Sequence, residues 1–410
     1  MRFLLRLAFR NALRNKRRSL FTIASLFLGT SLFVAAKSFV DGIELTLVST
    51  QIDTEHGHIR VVPTAYLSEE DYKPLDIPFP EVSAVAEFLR AQFPDAQVVT
   101  RSTFSAQIGD GVRSLSARGL VVDPTKYVDM FRVGELKAPT DAALAKRPYC
   151  WLGADLARTF GWKEGDRLFL KAKTRSGTIN AQDGVIIAGL IRTGSPMTDN
   201  FTIFVPSVWA DDFLNLTPGF ATEVYARFKV ADDAERAEIA VTGKWPNLDA
   251  ETWRENTKFV RALNDIRRQH FFLVVGIILL IGALSVANTC LMAGFERTKE
   301  VGTLLALGYP QRSVRILFLV ETLIIGGLGA FIGVAFGAAA SAWFGVHPIE
   351  LANISDAEGG MPMPPLLHFH LTPPAVWIGF LIGLAVALVA AVYPAIRASR
   401  LDPIVALRED

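Results

Sequence analysis

The sequence predicts a membrane protein of four transmembrane α-helices, with a large extracytoplasmic α+β domain between the first and the second. Three observations predict it. Four apolar segments each exceed the roughly 20 residues needed to cross a bilayer. The stretch 41–269, between the first two, is polar and patterned like a folded domain. Lysine and arginine are placed unevenly among the connecting segments.

Residues 1–18 read as a cytoplasmic amphipathic helix. Arg2, Arg6, Arg10 and Arg14 recur at spacing four, while Leu4, Leu5, Ala8, Phe9, Ala12 and Leu13 fill the opposite side. Such a helix suits the interface of an anionic membrane. The first span is 19–40. Its run from Ser19 to Ala36 carries no charge and is longer than the apolar core of a signal peptide. No small-x-small cleavage site precedes Lys37 and Asp41, so a retained span is expected. The second span, 270–295, has no charge from Phe271 to Phe295, and the third, 314–345, has only Glu321 beyond the Arg315 of its first turn. The fourth is 373–396. Backbone polar groups in lipid need internal partners, so each span is expected to be helical.

Orientation follows from the basic residues of the short segments. The N-terminal tail, the 296–313 loop (Arg297, Lys299, Arg312) and the 397–410 tail (Arg397, Arg400, Arg408) are basic. The 346–372 loop has no Lys or Arg but holds Glu350, Asp356 and Glu358. Both termini and the 296–313 loop are therefore expected in the cytoplasm, and 41–269 and 346–372 outside. The outer segment alternates like strands at Ile59-Arg60-Val61-Val62 and Gly184-Val185-Ile186-Ile187. It reads as helix at Pro80–Phe93 and Leu152–Phe160. Two lobes are expected. Its flanks, Ser38–Ile52 and Thr257–His270, continue the first and second spans as helices and would form a stalk.

Several residues invite chemistry. The pairs His56/His58 and His368/His370 would share a face if extended, but two nitrogens make a weak metal site and no further ligands stand at fixed spacing, so no metal is expected. Cys150 and Cys290 fall on opposite sides of the membrane boundary and are not expected to pair. Glu321 lies near the cytoplasmic end of its span, where it would snorkel or meet Arg315. Gly329, Gly333 and Gly337 line one face of the third span, and Gly379 and Gly383 do so in the fourth. This allows close helix packing or a dimer seam. No G-x-x-x-x-G-K-[ST] phosphate loop occurs, and no catalytic constellation is visible.

The 296–313 loop is the most informative segment. A mixed-charge stretch, Glu296 to Glu300, is followed by a helical apolar run ended by Gly308-Tyr309-Pro310. Val301, Leu304, Leu305 and Ala306 are too apolar for a free loop. A partner protein would cover them, or they would fold back on the membrane surface. The run Glu296-Arg297-Thr298-Lys299-Glu300-Val301-Gly302-Thr303-Leu304-Leu305-Ala306-Leu307-Gly308 resembles the signature loop of FtsX-like ABC permeases. The C-terminal Tyr393-Pro394-Ala395-Ile396-Arg397-Ala398-Ser399-Arg400-Leu401-Asp402-Pro403 and the opening Arg10-Asn11-Ala12-Leu13-Arg14-Asn15-Lys16-Arg17-Arg18 resemble that family too.

The resemblance covers all four spans. It implies a MacB-type (type VII) permease of the bacterial inner membrane, with a MacB-like periplasmic core domain and no ATPase site of its own. ATP and Mg would be bound by a separate cytoplasmic ATPase, and a second permease would complete the assembly. The coupling helix to that ATPase would be Thr298, Lys299, Glu300, Val301, Gly302, Thr303, Leu304, Leu305, Ala306, Leu307, Gly308 and Tyr309. The outer segments Gly57–Val61, Leu152–Ala157, Gly165-Asp166 and Gly189–Gly194 with Asp199 resemble the lipoprotein-releasing LolC/LolE branch. That implies release of lipoproteins from the inner membrane by mechanotransmission, with Ile43, Leu45, Leu47 and Val48 as substrate contacts. The other branches imply efflux of peptides or antibiotics with a periplasmic adaptor, or FtsX-like signalling to a cell-wall hydrolase.

Overall fold

The computed structural model describes residues 16–141, 145–350 and 366–400. The expected amphipathic helix before residue 16 and the motif past residue 400 lie outside them. Among the described residues, seven helices of nine residues or more organise the fold: α1 Lys16–Gln51, α2 Val82–Gln92, α3 Asp233–Lys244, α4 Lys258–Glu296, α5 Thr298–Ala306, α6 Gln311–Val346 and α7 Pro373–Ser399. Nine strands of five residues or more accompany them: β1 Ile59–Pro63, β2 Gln97–Gly109, β3 Ser114–Val122, β4 Tyr149–Gly153, β5 Arg167–Lys173, β6 Ile179–Ile191, β7 Thr202–Pro206, β8 Glu223–Arg227 and β9 Leu248–Thr252. The described residues divide into two compact units, one of residues 16–45, 262–350 and 366–400, the other of 46–141 and 145–261.

The second unit has two lobes that share β2. In the first, the strand order β2-β8-β1-β9 is antiparallel throughout. The chain order β1-α2-β2, then β8-α3-β9, makes it a split β-α-β arrangement. Alternation decides its two faces. Ile59, Val61, Val224 and Ala226 point into a core with Val85 and Leu89 of α2 and Ala237 and Val241 of α3. Arg60, Glu223 and Tyr225 fall on the other face, and all three are buried.

That second face is a charged layer. The Glu223 carboxylate accepts from Arg60 Nη2 at 2.6 Å, Arg101 Nε at 3.0 Å and Thr103 Oγ1 at 2.6 Å. Arg101 also donates to Tyr225 Oη at 2.6 Å and Tyr127 Oη at 3.1 Å. Burial opposes the charge on Glu223, but the two guanidinium groups and the Thr103 hydroxyl outweigh it and hold the carboxyl well below the usual range. A buried carboxylate surrounded in this way is a structural keystone, because removing one partner strands the others.

Beyond Arg101, β2 leaves this sheet and enters the second lobe. Residues 102–109 pair with β3 on one side, and 106–109 also pair with β5 on the other. The ladders β3–β7, β7–β4, β4–β6 and β6–β5 complete a ring of six strands. Closure removes the exposed edges that invite aggregation. Inward residues fill the barrel, among them Phe104, Ile108, Cys150, Leu152, Leu168, Leu170, Val185, Ile187, Ile203 and Val205. The expected helix over Leu152–Phe160 is half right. Cys150, Trp151 and Leu152 are consecutive buried residues of β4, and helix starts only at Ala154, after Gly153. A strand buried on both faces carries no alternation, so its pattern is easily taken for helix. A third core, with Tyr127, Phe131, Trp151, Phe204 and Tyr225, includes residues of both lobes.

The first unit holds the long helices. α1, α4, α6 and α7 each contain a window apolar and long enough to cross a membrane. Gly329, Gly333 and Gly337 of α6 bring that helix against α1. A Cβ on Gly329 would stand 2.9 Å from the Ile23 carbonyl, one on Gly333 2.6 Å from the Phe27 carbonyl, and one on Gly337 2.6 Å from the Ser31 carbonyl. Gly379 and Gly383 of α7 face Val34 and Thr30 in the same way, and Gly383 also faces Ala330. The glycine stripes are therefore occupied by packing within the chain, not by a seam to a second copy. α4 touches α1 through Ser25 Oγ and Ser285 Oγ, 2.9 Å apart. Its other face leaves Leu273, Ile277, Leu280, Ile281 and Leu284 exposed, as suits lipid or another membrane chain. After α6, Ile349–Glu350 and Leu366–Leu367 pair as a short hairpin. The His370 N–H then bonds the Ser38 carbonyl at 2.9 Å.

Candidate coupling segment

The segment joining α4 to α6 is built by local rules. α4 ends at Glu296, and Arg297 leaves helical geometry with φ −112° and ψ 21°. α5 then runs for nine residues. Its end is a Schellman motif. Gly308 adopts φ 85°, its N–H bonds the Leu305 carbonyl at 3.0 Å, and the Tyr309 N–H bonds the Leu304 carbonyl at 3.1 Å. Only glycine adopts that φ without strain. Pro310 follows and caps α6.

α5 is amphipathic, and its apolar stripe is covered by its own chain. Val301 is buried in a cluster with Ala293 of α4, Val314 and Phe318 of α6, and Ala395 and Ala398 of α7. Leu305, one turn on, packs against the same cluster. The expectation that a partner covers Val301 and Leu305 is thus corrected: three helices of this chain already do so, and Gly302 is buried with them. Lys299, Glu300, Thr303, Ala306, Gly308 and Tyr309 are exposed, and Leu307 is 72% exposed, while Thr298 and Leu304 are half-buried. The face left open is mixed polar and apolar and centres on Thr303 and Leu307.

Arg297 holds this segment to α6. Its Nη1 donates to Glu321 Oε2 at 2.7 Å, and both side chains are 4% exposed. The expected partner of Glu321 is Arg315, but Arg315 instead donates to Ser399 Oγ at 2.8 Å. The reason is geometric. Arg315 and Glu321 are six residues apart on one helix, a spacing that puts them on different faces. Arg397 lies over the Phe295 ring at 5.2 Å, a further tie between α7 and the end of α4.

The other expected sites fare differently. Ile43, Leu47 and Val48 are buried at 1%, 6% and 8% exposure and present no open surface, whereas Leu45 is 52% exposed. Their burial follows from an apolar stripe on α1 that reads the same whether it meets protein or substrate. The histidine pairs do not form faces of strands. His56 ends the turn after α1, while His58 Nδ1 accepts the Phe228 N–H at 3.0 Å. His368 bonds the Gly345 carbonyl at 3.1 Å. Cys150 is a buried thiol, and Cys290 Sγ lies 3.2 Å from Thr322 Oγ1, so the two sulfurs are not joined. Lys37 pairs with Asp41 one turn away at 2.7 Å. The loop motif around Gly194 is organised by Asp199, whose carboxylate accepts the N–H groups of Thr193 and Gly194 at 2.8 and 2.9 Å.

Sequence reasoning missed one cluster, at the end of α1. Residues Ile52–His56 form a single π-helical turn carrying Asp53 and Glu55, and Glu55 is 2% exposed. The nearest signal was two acids at spacing two beside Gly57, which reads as an ordinary loop.

Comparison with known families matches this architecture in two blocks. Residues 19–244 match the family described as MacB-like periplasmic core domain, and residues 272–403 match FtsX-like permease C-terminal. The chain is similar to the macrolide export ATP-binding/permease protein MacB of Hyphomonas neptunium, 33% identical over 159 residues, which cover 38% of this chain and 22% of that one. It is also similar to YvrN of Bacillus subtilis, an uncharacterized ABC transporter permease, 24% identical over 431 residues and 98% of each chain. YknZ of the same organism, another uncharacterized ABC transporter permease, is 30% identical over 135 residues, 33% of this chain and 30% of that one. The matched region thus spans about a fifth of the MacB protein. The core-domain match alone takes in more than half of the residues, and the match to the permease block accounts for α5 and the helices around it: the chain belongs to the MacB/FtsX family of ABC transporter permeases.

Proposed function

We propose that this chain is the membrane subunit of a mechanical ABC transporter in the bacterial inner membrane, with both termini cytoplasmic and its larger soluble unit in the periplasm. A separate ATPase binds ATP and Mg, docks on the exposed face of α5, and moves it. The observation that carries this reading is the build of α5. One stripe is locked to α4, α6 and α7, while Thr303 and Leu307 stay open. A cytoplasmic loop with only a topological role has no need of such docking. A second permease chain beside the apolar face of α4 would complete the assembly.

The substrate would be taken from the periplasm or the outer leaflet. The similarity to proteins named as macrolide exporters favours efflux through an adaptor. The likeness of the Gly57–Val61 and Gly189–Gly194 segments to the lipoprotein-releasing branch supports lipoprotein release as the second reading. Purification of the chain from native membranes, with mass spectrometry of what accompanies it, separates the two. An ATPase with a periplasmic adaptor supports efflux, and an ATPase with lipoproteins supports release. Leu304→Pro breaks α5 at a cost of about 3 kcal/mol to that helix. It should remove the ATPase from the purified material while the other helices stay folded. An ATPase that still accompanies the Leu304→Pro variant in full would refute the docking role.

A further inference from the structure

We propose that the turn Ile52–His56 is the joint through which α1 grips both lobes of the periplasmic core domain, with Asp53 and Glu55 as its positioning residues. The proposal rests on the mechanical reading above and adds where motion enters the domain.

The turn is short and heavily bound. Glu55 Oε1 accepts the hydroxyl of Ser195 and, at 3.1 Å, that of Thr198. Its Oε2 faces both Nη atoms of Arg118 at 3.4 Å, and its backbone carbonyl accepts Arg101 Nη1 at 3.0 Å. Ser195 and Thr198 follow β6, and Arg118 lies on β3, so these bonds reach the barrel. Asp53 reaches the other lobe. It pairs with Arg227 of β8, and with Arg132 at 3.1 Å. Its carbonyl also accepts the Arg132 N–H at 2.7 Å. Gly57 then turns the chain into β1 with φ 60°. A side chain there would stand 2.6 Å from Met130 Cε and 2.9 Å from the Ala226 carbonyl, so the exit is also tightly enclosed.

Two acids two residues apart thus hold one helix end to two separately built lobes. Hydrogen bonds to charged groups are stronger than neutral ones, directional, and lost at short displacement. Such bonds transmit a pull, whereas apolar packing alone lets a helix slide. The return connection is built differently. Among the described residues, the Trp253 N–H bonds the His58 carbonyl at 2.9 Å, and the ion pairs nearby, Arg254 with Glu235 and Lys258 with Glu255, lie at the surface. The difference assigns the two-lobe grip to α1: the segment before α4, through Trp253 and the buried Thr257, packs on the first lobe.

The test uses the full permease with its ATPase in lipid nanodiscs, with hydrogen exchange read by mass spectrometry with and without ATP and vanadate. Asp53→Asn, whose side chain is partly exposed, and Glu55→Gln are compared with the parent. Peptides from α5 report ATPase docking, and peptides from β2, β3 and residues 193–198 report the domain. In the parent, nucleotide should change exchange in both sets. In the variants the domain peptides should keep their resting protection and lose most of their nucleotide response, while α5 still responds. A domain response of parental size in both variants would overturn the joint, as would general loss of protection in both, which marks a plain folding anchor. Absence of an α5 response in the parent would instead overturn the ATPase-docking reading, and the joint with it.

Discussion

Arg297→Glu should be among the most damaging single substitutions in the membrane unit. It would set two carboxylates against each other where an ion pair of 2.7 Å now lies, with both side chains almost fully covered. Breaking a buried pair by removing one partner costs about 3–5 kcal/mol, because the remaining charge is left unmatched. Thermal unfolding in detergent should show that loss, and the double variant Arg297→Glu with Glu321→Arg should recover most of it. Replacing both partners by apolar residues, Arg297→Met with Glu321→Leu, separates stability from function. Such replacements are often neutral or stabilising, so the helices should remain packed. ATP-dependent coupling should nonetheless fall, because a directional bond between the start of α5 and α6 has been exchanged for contacts that permit sliding. Full coupling in the apolar double variant would show that the pair serves only the fold.

Gly333→Leu should cost as much by a different mechanism. Even a Cβ at 333 would run into Thr30 Oγ1 and stand 2.6 Å from the Phe27 carbonyl and 2.8 Å from its Cα. The obstacle is backbone of α1, which has no rotamer to change. Overpacking typically costs about 1–3 kcal/mol where side chains can yield, and here the two helices have to move apart. Thr30, fully buried and bonded to the Leu26 carbonyl at 2.7 Å, loses its seat at the same time. Gly276→Ala on α4 is the matched control, since nothing lies within 4 Å of its added Cβ. Yield and unfolding temperature should collapse for the first and stay level or rise for the second.

These two sites show what could be read in advance. Helices that cross a membrane announce themselves by uninterrupted apolar length, and the glycine spacing on α6 announced a close approach. What the spacing does not contain is the identity of the approaching helix. Periodicity gives a face and no partner, so the stripe was equally consistent with a second copy. The same limit applies to Glu321. Its burial was readable from its place in an apolar run, but its partner came from the break after α4, a three-dimensional fact. In the soluble unit the strands β1 and β6 were visible by alternation, and two lobes were expected. The closure of six strands into a barrel was not, because closure is a property of pairings between residues far apart in sequence. The acid-bearing turn after α1 was the least visible feature. Asp53 and Glu55 in isolation look like solvent-facing charges, and only their partners, from Arg101 to Arg227, reveal them as bonds that hold the fold.

For α5, the apolar composition was legible and its division was not. Val301 and Leu305 share a face with Arg297 and turn inward. Leu307 lies past the last helical residue and turns outward. A photo-activatable cross-linker at that position tests the central claim directly. Placed at Leu307 in native membranes and irradiated, it should capture an ABC-type ATPase subunit, whereas the same group at Val301 should capture only this chain. Capture of lipid or of the chain itself at both positions, with no ATPase, would contradict the account.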